Sequence, residues 1–129
     1  MGEKTENLLQ RRAASVPKAV FNVTPLFVKR AQGAVLVDVE GKEYIDFAGG
    51  IGVENVGHCV DAVVKVIQKK AAEYIHTCLH VVMYEPYIEL AEKLNEITPG
   101  DFDKMTMFAN SGAEAGENGV KIARYWTER

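Results

Sequence analysis

Apolar residues recur at helical spacing from Val60 onward. Val60, Val63, Val64, Ile67, Ala71, Tyr74 and Ile75 fall on one side, and Asp61, Lys65, Gln68, Lys69 and Glu73 on the other. That period predicts an amphipathic helix. A second helix starts near Pro86, a residue suited to a first helical turn, and turns Tyr87, Leu90, Ala91, Leu94 and Ile97 inward. Glu89 and Lys93 stand four apart on it, and Thr98-Pro99-Gly100-Asp101 stops it. Upstream, the pattern alternates instead. Val35, Val37 and Val39 mark one face of a strand over Ala34–Val39, Glu40-Gly41-Lys42 makes a tight turn, and Glu43–Phe47 runs back. This is a hairpin signal. Glu6–Ala14 has modest helical character ended by Pro17, and Phe21–Arg30, which carries Pro25, reads as an extended connector. Lys104–Asn110 reads as a strand and Ala113–Glu128 as a closing helix.

Composition narrows the class. The 129 residues are 47% hydrophobic and 26% charged, with a net charge of −3. They fit one soluble domain, able to bury roughly two-thirds of the surface of its unfolded chain. Lys and Arg are scattered without a basic stripe, so no nucleic-acid partner is expected. No apolar stretch approaches the ~20 residues that cross a bilayer, and the amino terminus has no apolar signal core. The expected location is cytoplasmic. Cys59 and Cys78 make no disulfide framework and read as free structural thiols. His58-Cys59 and His76-x-Cys78-x-His80 lack the spacing of a tetrahedral zinc site, so no metal is expected.

Candidate chemistry concentrates at Asn110-Ser111-Gly112, where the strand pattern gives way to the last helix. Two readings fit. Ser111 is an N-cap, with Glu114 three residues later as a capping box requires. Alternatively, the amides of Ser111, Gly112 and Ala113 bind a phosphate, helped by the helix dipole and by the small Gly112. Neither G-x-x-x-x-G-K-[ST] nor G-x-G-x-x-G is present, which disfavours nucleoside triphosphates and dinucleotides. The Gly49-Gly50-Ile51-Gly52 stretch is likewise either a loop or a pocket lining, in which Ile51 offers an apolar wall.

Several segments then agree in order. They are Asp38–Ile51, Asn55-x-Gly57-His58, His76-Thr77-Cys78, Tyr84-Glu85-Pro86-Tyr87, Asn110–Ala115, Glu117-Asn118 and Val120–Arg124. Together they resemble the amino-terminal part of a class III pyridoxal-phosphate aminotransferase, with the 4-aminobutyrate aminotransferases as the nearest kin. The resemblance implies an α/β fold, namely the amino-terminal piece of a fold-type I transferase. The β-hairpin would belong to the small domain, within residues 1–52, and the first helices and strand to the large cofactor domain, from residue 53 to 129.

The resemblance also implies roles. Ser111, Gly112 and Ala113 would hold the phosphate of pyridoxal 5′-phosphate, and Gly50 and Ile51 would border the substrate. The substrates implied are an ω-amino acid such as 4-aminobutyrate and a 2-oxo acid, and the assembly a homo-oligomer. The family's Schiff-base lysine, pyridine-holding carboxylate and substrate-carboxylate arginine lie beyond the matched positions, so no catalytic residue transfers and the chain alone is expected to be inactive. A non-catalytic small-molecule binder and a self-associating interaction module are the alternatives. One departure bears on stability. Gly116 and Gly119 stand inside the last helix, where relatives carry a larger residue and an alanine, and each glycine costs about 1 kcal/mol relative to alanine.

Overall fold

The computed structural model describes residues 2–128. It divides into two compact units, residues 1–75 and 76–129, where the sequence suggested a single domain.

The first unit is built on a three-stranded antiparallel meander, β1 (Val28–Gln32), β2 (Val35–Asp38) and β3 (Glu43–Ile45), in the order β1-β2-β3. The expected hairpin is present, with Leu36 opposite Tyr44 and Val37 opposite Glu43. Its turn is organised by Asp38, whose Oδ1 accepts the amides of Glu40 at 2.9 Å and Lys42 at 2.8 Å while Oδ2 accepts the Tyr44 hydroxyl at 3.0 Å. Burial pushes the Asp38 carboxyl up, but the hydrogen bonds from Lys42, Tyr44, Glu40 and Gly41 outweigh it and hold the group below its ordinary value. Gly41 takes φ +92°, a conformation that a side chain would strain.

Part of the expected connector is a strand. Residues 28–32 pair with β2, with an irregularity between Val28 and Arg30. Pro25 sits before this strand rather than in it, so the ladder loses no donor.

Helix α1 (Glu3–Ser15) starts three residues earlier than its periodicity suggests. Its N-cap Gly2 offers no side chain, and the cap comes from the hairpin turn: Glu40 Oε1 accepts the Thr5 amide at 2.9 Å and the Thr5 hydroxyl at 3.2 Å. At the other end, Arg12 donates to Val20 O and, at 2.7 Å, to Asn22 Oδ1. One helical turn, α2 (Gly49–Gly52), and helix α3 (Asp61–Glu73) complete the unit.

The second unit contains α4 (Glu85–Ile97) and α5 (Gly112–Thr127), joined by an extended run. Lys93 pairs with Glu96 at 2.7 Å. Residues 104–110, expected as a strand, belong to no sheet. Burial there still alternates with period two, Lys104, Thr106 and Phe108 half-buried and Met105 and Met107 exposed. The run therefore has the side-chain pattern of a strand and lacks only neighbours to pair with. It is held instead by α4. Thr106 Oγ1 donates to Asn95 Oδ1 at 2.7 Å, the Phe108 amide donates to the Tyr87 hydroxyl at 3.3 Å, and the Tyr87 and Phe108 rings meet edge-on at 4.7 Å.

Burial is far below the expectation from length. Val37 is the one buried hydrophobic residue among those described. The accessible surface is 11257 Å², whereas a self-contained folded chain of this mass exposes about 6,800 Å². Folding to this conformation removes about 45% of the unfolded chain's surface rather than about two-thirds. The helices form as their periodicity dictates, yet Val63 and Ile67 of α3, Leu90 and Ile97 of α4, and Tyr125 and Trp126 of α5 stay exposed. Their apolar stripes await a covering surface.

Candidate functional site

In the second unit the site centres on the start of α5. Ser111 is extended (φ −150°, ψ 159°), and its Oγ accepts the Glu114 amide at 3.2 Å. Glu114 reaches back, Oε2 accepting the Asn110 amide at 2.7 Å. This reciprocal arrangement is the capping box expected from the spacing. It occupies the amides of Asn110 and Glu114 and leaves those of Gly112 and Ala113 without an acceptor among the described residues.

A Cβ on Gly112 would meet nothing within 4 Å, so the space beside the turn is open. Two convergent N–H groups, a hydroxyl able to donate and the positive end of a 16-residue helix fit an acceptor-only dianion such as a phosphate monoester. The Glu114 carboxylate is drawn onto Asn110, so capping and anion binding are compatible.

Gly50 and Ile51 lie in the first unit, in α2, and are described apart from the α5 turn. Gly49, Gly50, Ile51 and Gly52 all have positive φ (51°, 61°, 61° and 81°), so the turn is left-handed. Glycine accepts this readily, but for a β-branched residue the left-handed region costs roughly 1–2 kcal/mol. Ile51 bears that cost while its side chain is 97% exposed.

The turn is anchored by a pair that sequence spacing did not reveal. Asp46 Oδ1 accepts the amides of Ala48 at 3.0 Å and Gly49 at 2.9 Å, and Oδ2 lies 2.8 Å from His58 Nε2. A carboxylate can only accept, so His58 carries its proton on Nε2. The hydrogen bond from His58, then that from Gly49, holds the Asp46 carboxyl below its ordinary value. His58 is fixed in turn by a two-bond bridge to Gly33, at 2.9 Å each way. Gly57 permits that approach, since a Cβ there would lie 3.2 Å from the Gly33 backbone.

A cavity of about 310 Å³ lies against this anchor, lined by Asp46, Gly49, Glu54 and His58 among others. A larger one, of about 750 Å³, runs along Leu36, Tyr44, Ile45 and Phe47. Among the described residues no group of three His, Cys, Asp or Glu side chains could hold a metal, and no helix is long and apolar enough to cross a membrane.

Residues 16–129 match the family model described as aminotransferase class-III. A 5-aminovalerate aminotransferase of Pseudomonas putida is 50% identical over 129 residues, all of this chain and 30% of that protein. A 4-aminobutyrate aminotransferase of Escherichia coli K12 is 47% identical over 124 residues, 96% of this chain and 29% of that protein. Among solved structures, taurine:2-oxoglutarate aminotransferase from Bifidobacterium kashiwanohense, in complex with PLP and glutamate, superposes with a TM-score of 0.83 at 28% identity, covering 97% of this chain and 28% of that one. The chain thus spans about 30% of the length of the curated relatives it matches.

Proposed function

The chain belongs to the class III aminotransferases, and we propose that it forms the cofactor-phosphate-binding portion of an enzyme that moves an amino group from an ω-amino acid, such as 4-aminobutyrate, to a 2-oxo acid. The Ser111-capped start of α5, with the Gly112 and Ala113 amides left free, carries this reading. The donor set fits the phosphate of pyridoxal 5′-phosphate. When bound, that cofactor supplies an electron-withdrawing ring that stabilises negative charge at the substrate carbon. What these residues contribute is placement. The Gly112 and Ala113 amides and the Ser111 hydroxyl bind the phosphate oxygens, and the helix dipole favours the dianion. Gly50 and Ile51 form an apolar wall on the substrate side.

Residues 1–52 read as the amino-terminal segment and small-domain hairpin, and 53–129 as the start of the cofactor domain. The donor class follows relatives named for 5-aminovalerate and 4-aminobutyrate, both amines at the end of an aliphatic acid. The uncovered stripes of α3, α4 and α5 favour a homo-oligomer, in which further surface of like copies and of the same polypeptide covers them.

The test compares pyridoxal phosphate with unphosphorylated pyridoxal in the complete protein carrying this sequence. Ser111→Ala should weaken the phosphorylated compound about tenfold, the scale of one hydrogen bond to a charged group, and leave pyridoxal unchanged. Equal weakening of both would refute the phosphate site. Glutamate production from 4-aminobutyrate or 5-aminovalerate with 2-oxoglutarate tests the reaction itself, and its absence would remove the functional assignment.

A further inference from the structure

The left-handed turn poses a question that its sequence does not answer. Ile51 is held at φ 61°, ψ 49°, where a β-branched residue is unfavourable, yet its side chain packs on almost nothing. Strain of this kind persists only where surrounding structure enforces it. Here the enforcement comes from below. Asp46 grips the entry of the turn through two amides, and the Glu54 and Val53 amides close its exit on Gly49 O at 2.9 and 2.8 Å. Asp46 is itself held by His58, and His58 by the β1–β2 connection at Gly33. A chain of hydrogen bonds therefore runs from the sheet to a single exposed apolar side chain.

We propose that Asp46 and His58 are positioning residues that lock the Gly49–Gly52 turn in its left-handed form, and so fix where Ile51 stands as the wall that measures the aliphatic chain of the amino donor. The proposal rests on the functional reading above, since only a donor site gives that wall something to measure. Neither residue touches the reacting atoms. Their action passes through the backbone of the turn. Asp46 offers two oxygens to three donors, so Asp46→Asn, which keeps an accepting oxygen for the two amides, should preserve the turn and Asp46→Ala should not. His58→Gln keeps a donor toward Asp46 and His58→Ala does not.

The experiment uses the complete protein carrying this sequence, with Asp46→Ala, Asp46→Asn, His58→Ala and His58→Gln. Amide hydrogen exchange over residues 46–54 should rise about tenfold in the two alanine variants, as expected for losing a charge-assisted hydrogen bond. It should return towards wild type in Asp46→Asn and His58→Gln. In steady-state kinetics with 4-aminobutyrate and 5-aminovalerate, the alanine variants should raise KM and shift the ratio of kcat/KM between the two donors. kcat should stay within about twofold, because binding geometry rather than chemistry is altered. Unchanged exchange would overturn the lock. Faster exchange with an unchanged donor ratio would overturn its role in measuring the donor. A wild-type protein inactive on both donors would overturn the functional reading and this role with it, while the exchange data would still report whether the lock exists.

Discussion

Glu40 and Thr5 lie 35 residues apart, and the Glu40 carboxylate accepts both the amide and the hydroxyl of Thr5, at 2.9 and 3.2 Å. A side chain in the hairpin turn therefore does the capping that Gly2 cannot. The carboxylate also faces the positive end of the α1 dipole. Glu40→Ala should release the first turn of α1 and cost about 1 kcal/mol, with Glu40→Gln retaining part of the effect. Gly2→Ala should act in the same direction, since its Cβ would lie 2.2 Å from Glu40 Cδ. Hydrogen exchange of residues 3–8 checks both.

Gly112→Ala separates protein from ligand. The added methyl meets no protein atom within 4 Å, and alanine favours the helix by about 1 kcal/mol. Thermal stability should rise or hold. Affinity for pyridoxal phosphate should fall at least severalfold, because the methyl enters the space beside the free amides. Unchanged affinity measured by calorimetry would place the phosphate elsewhere.

Gly116 and Gly119 also face open space. Alanine at either position should stabilise α5 by about 1 kcal/mol, nearly additively, since neither glycine adopts a positive φ. The helical circular dichroism signal and the thermal midpoint should both increase.

The pH dependence of the α2 turn follows from Asp46. Its carboxyl is held below its ordinary 3.8 by His58 and then by the Gly49 amide. A depressed folded value means the contribution is present above the unfolded value and lost as pH falls through the folded one. The Ala48 and Gly49 amides should therefore stay protected at pH values where a free aspartate is already half protonated, and open only below. A titration of Asp46 by NMR that gives an ordinary value would contradict this.

Residues 1–129 produced alone should bind a hydrophobic dye strongly and self-associate in sedimentation, because 11257 Å² is far more surface than a chain of 14.2 kDa needs to expose. The same preparation should show no glutamate formation from either ω-amino acid. A monodisperse, dye-silent monomer would show that the open stripes close by rearrangement.

What could be read from the sequence was whatever local periodicity determines. The β2–β3 hairpin, α3, α4 and α5 with its Ser111–Glu114 box follow from side chains within one turn or one pleat of each other. Strand β1 escaped because Lys29, Arg30 and Gln32 give it no apolar alternation, and its identity as a strand comes from β2. The early start of α1 escaped because its cap lies on Glu40. Likewise Asp46 and His58 are 12 residues apart on irregular backbone, where no spacing rule links them. The 104–110 run was misjudged in the opposite sense. Its alternation is real, but a strand also needs a neighbour.

That contrast sets an order of events. Every pairing in the meander joins residues about ten or fewer positions apart, as Val28 with Asp38 and Val35 with Ile45. Such hairpins close in about 1–10 μs. The 104–110 run has no partner at such short range, and non-local pairing is slow because loop-closure entropy must first be overcome. The meander, with the Asp46 and His58 anchor beside it, is thus the part of the molecule that reaches its final form first, and the phosphate-binding turn matures only after the slower half has found its neighbours.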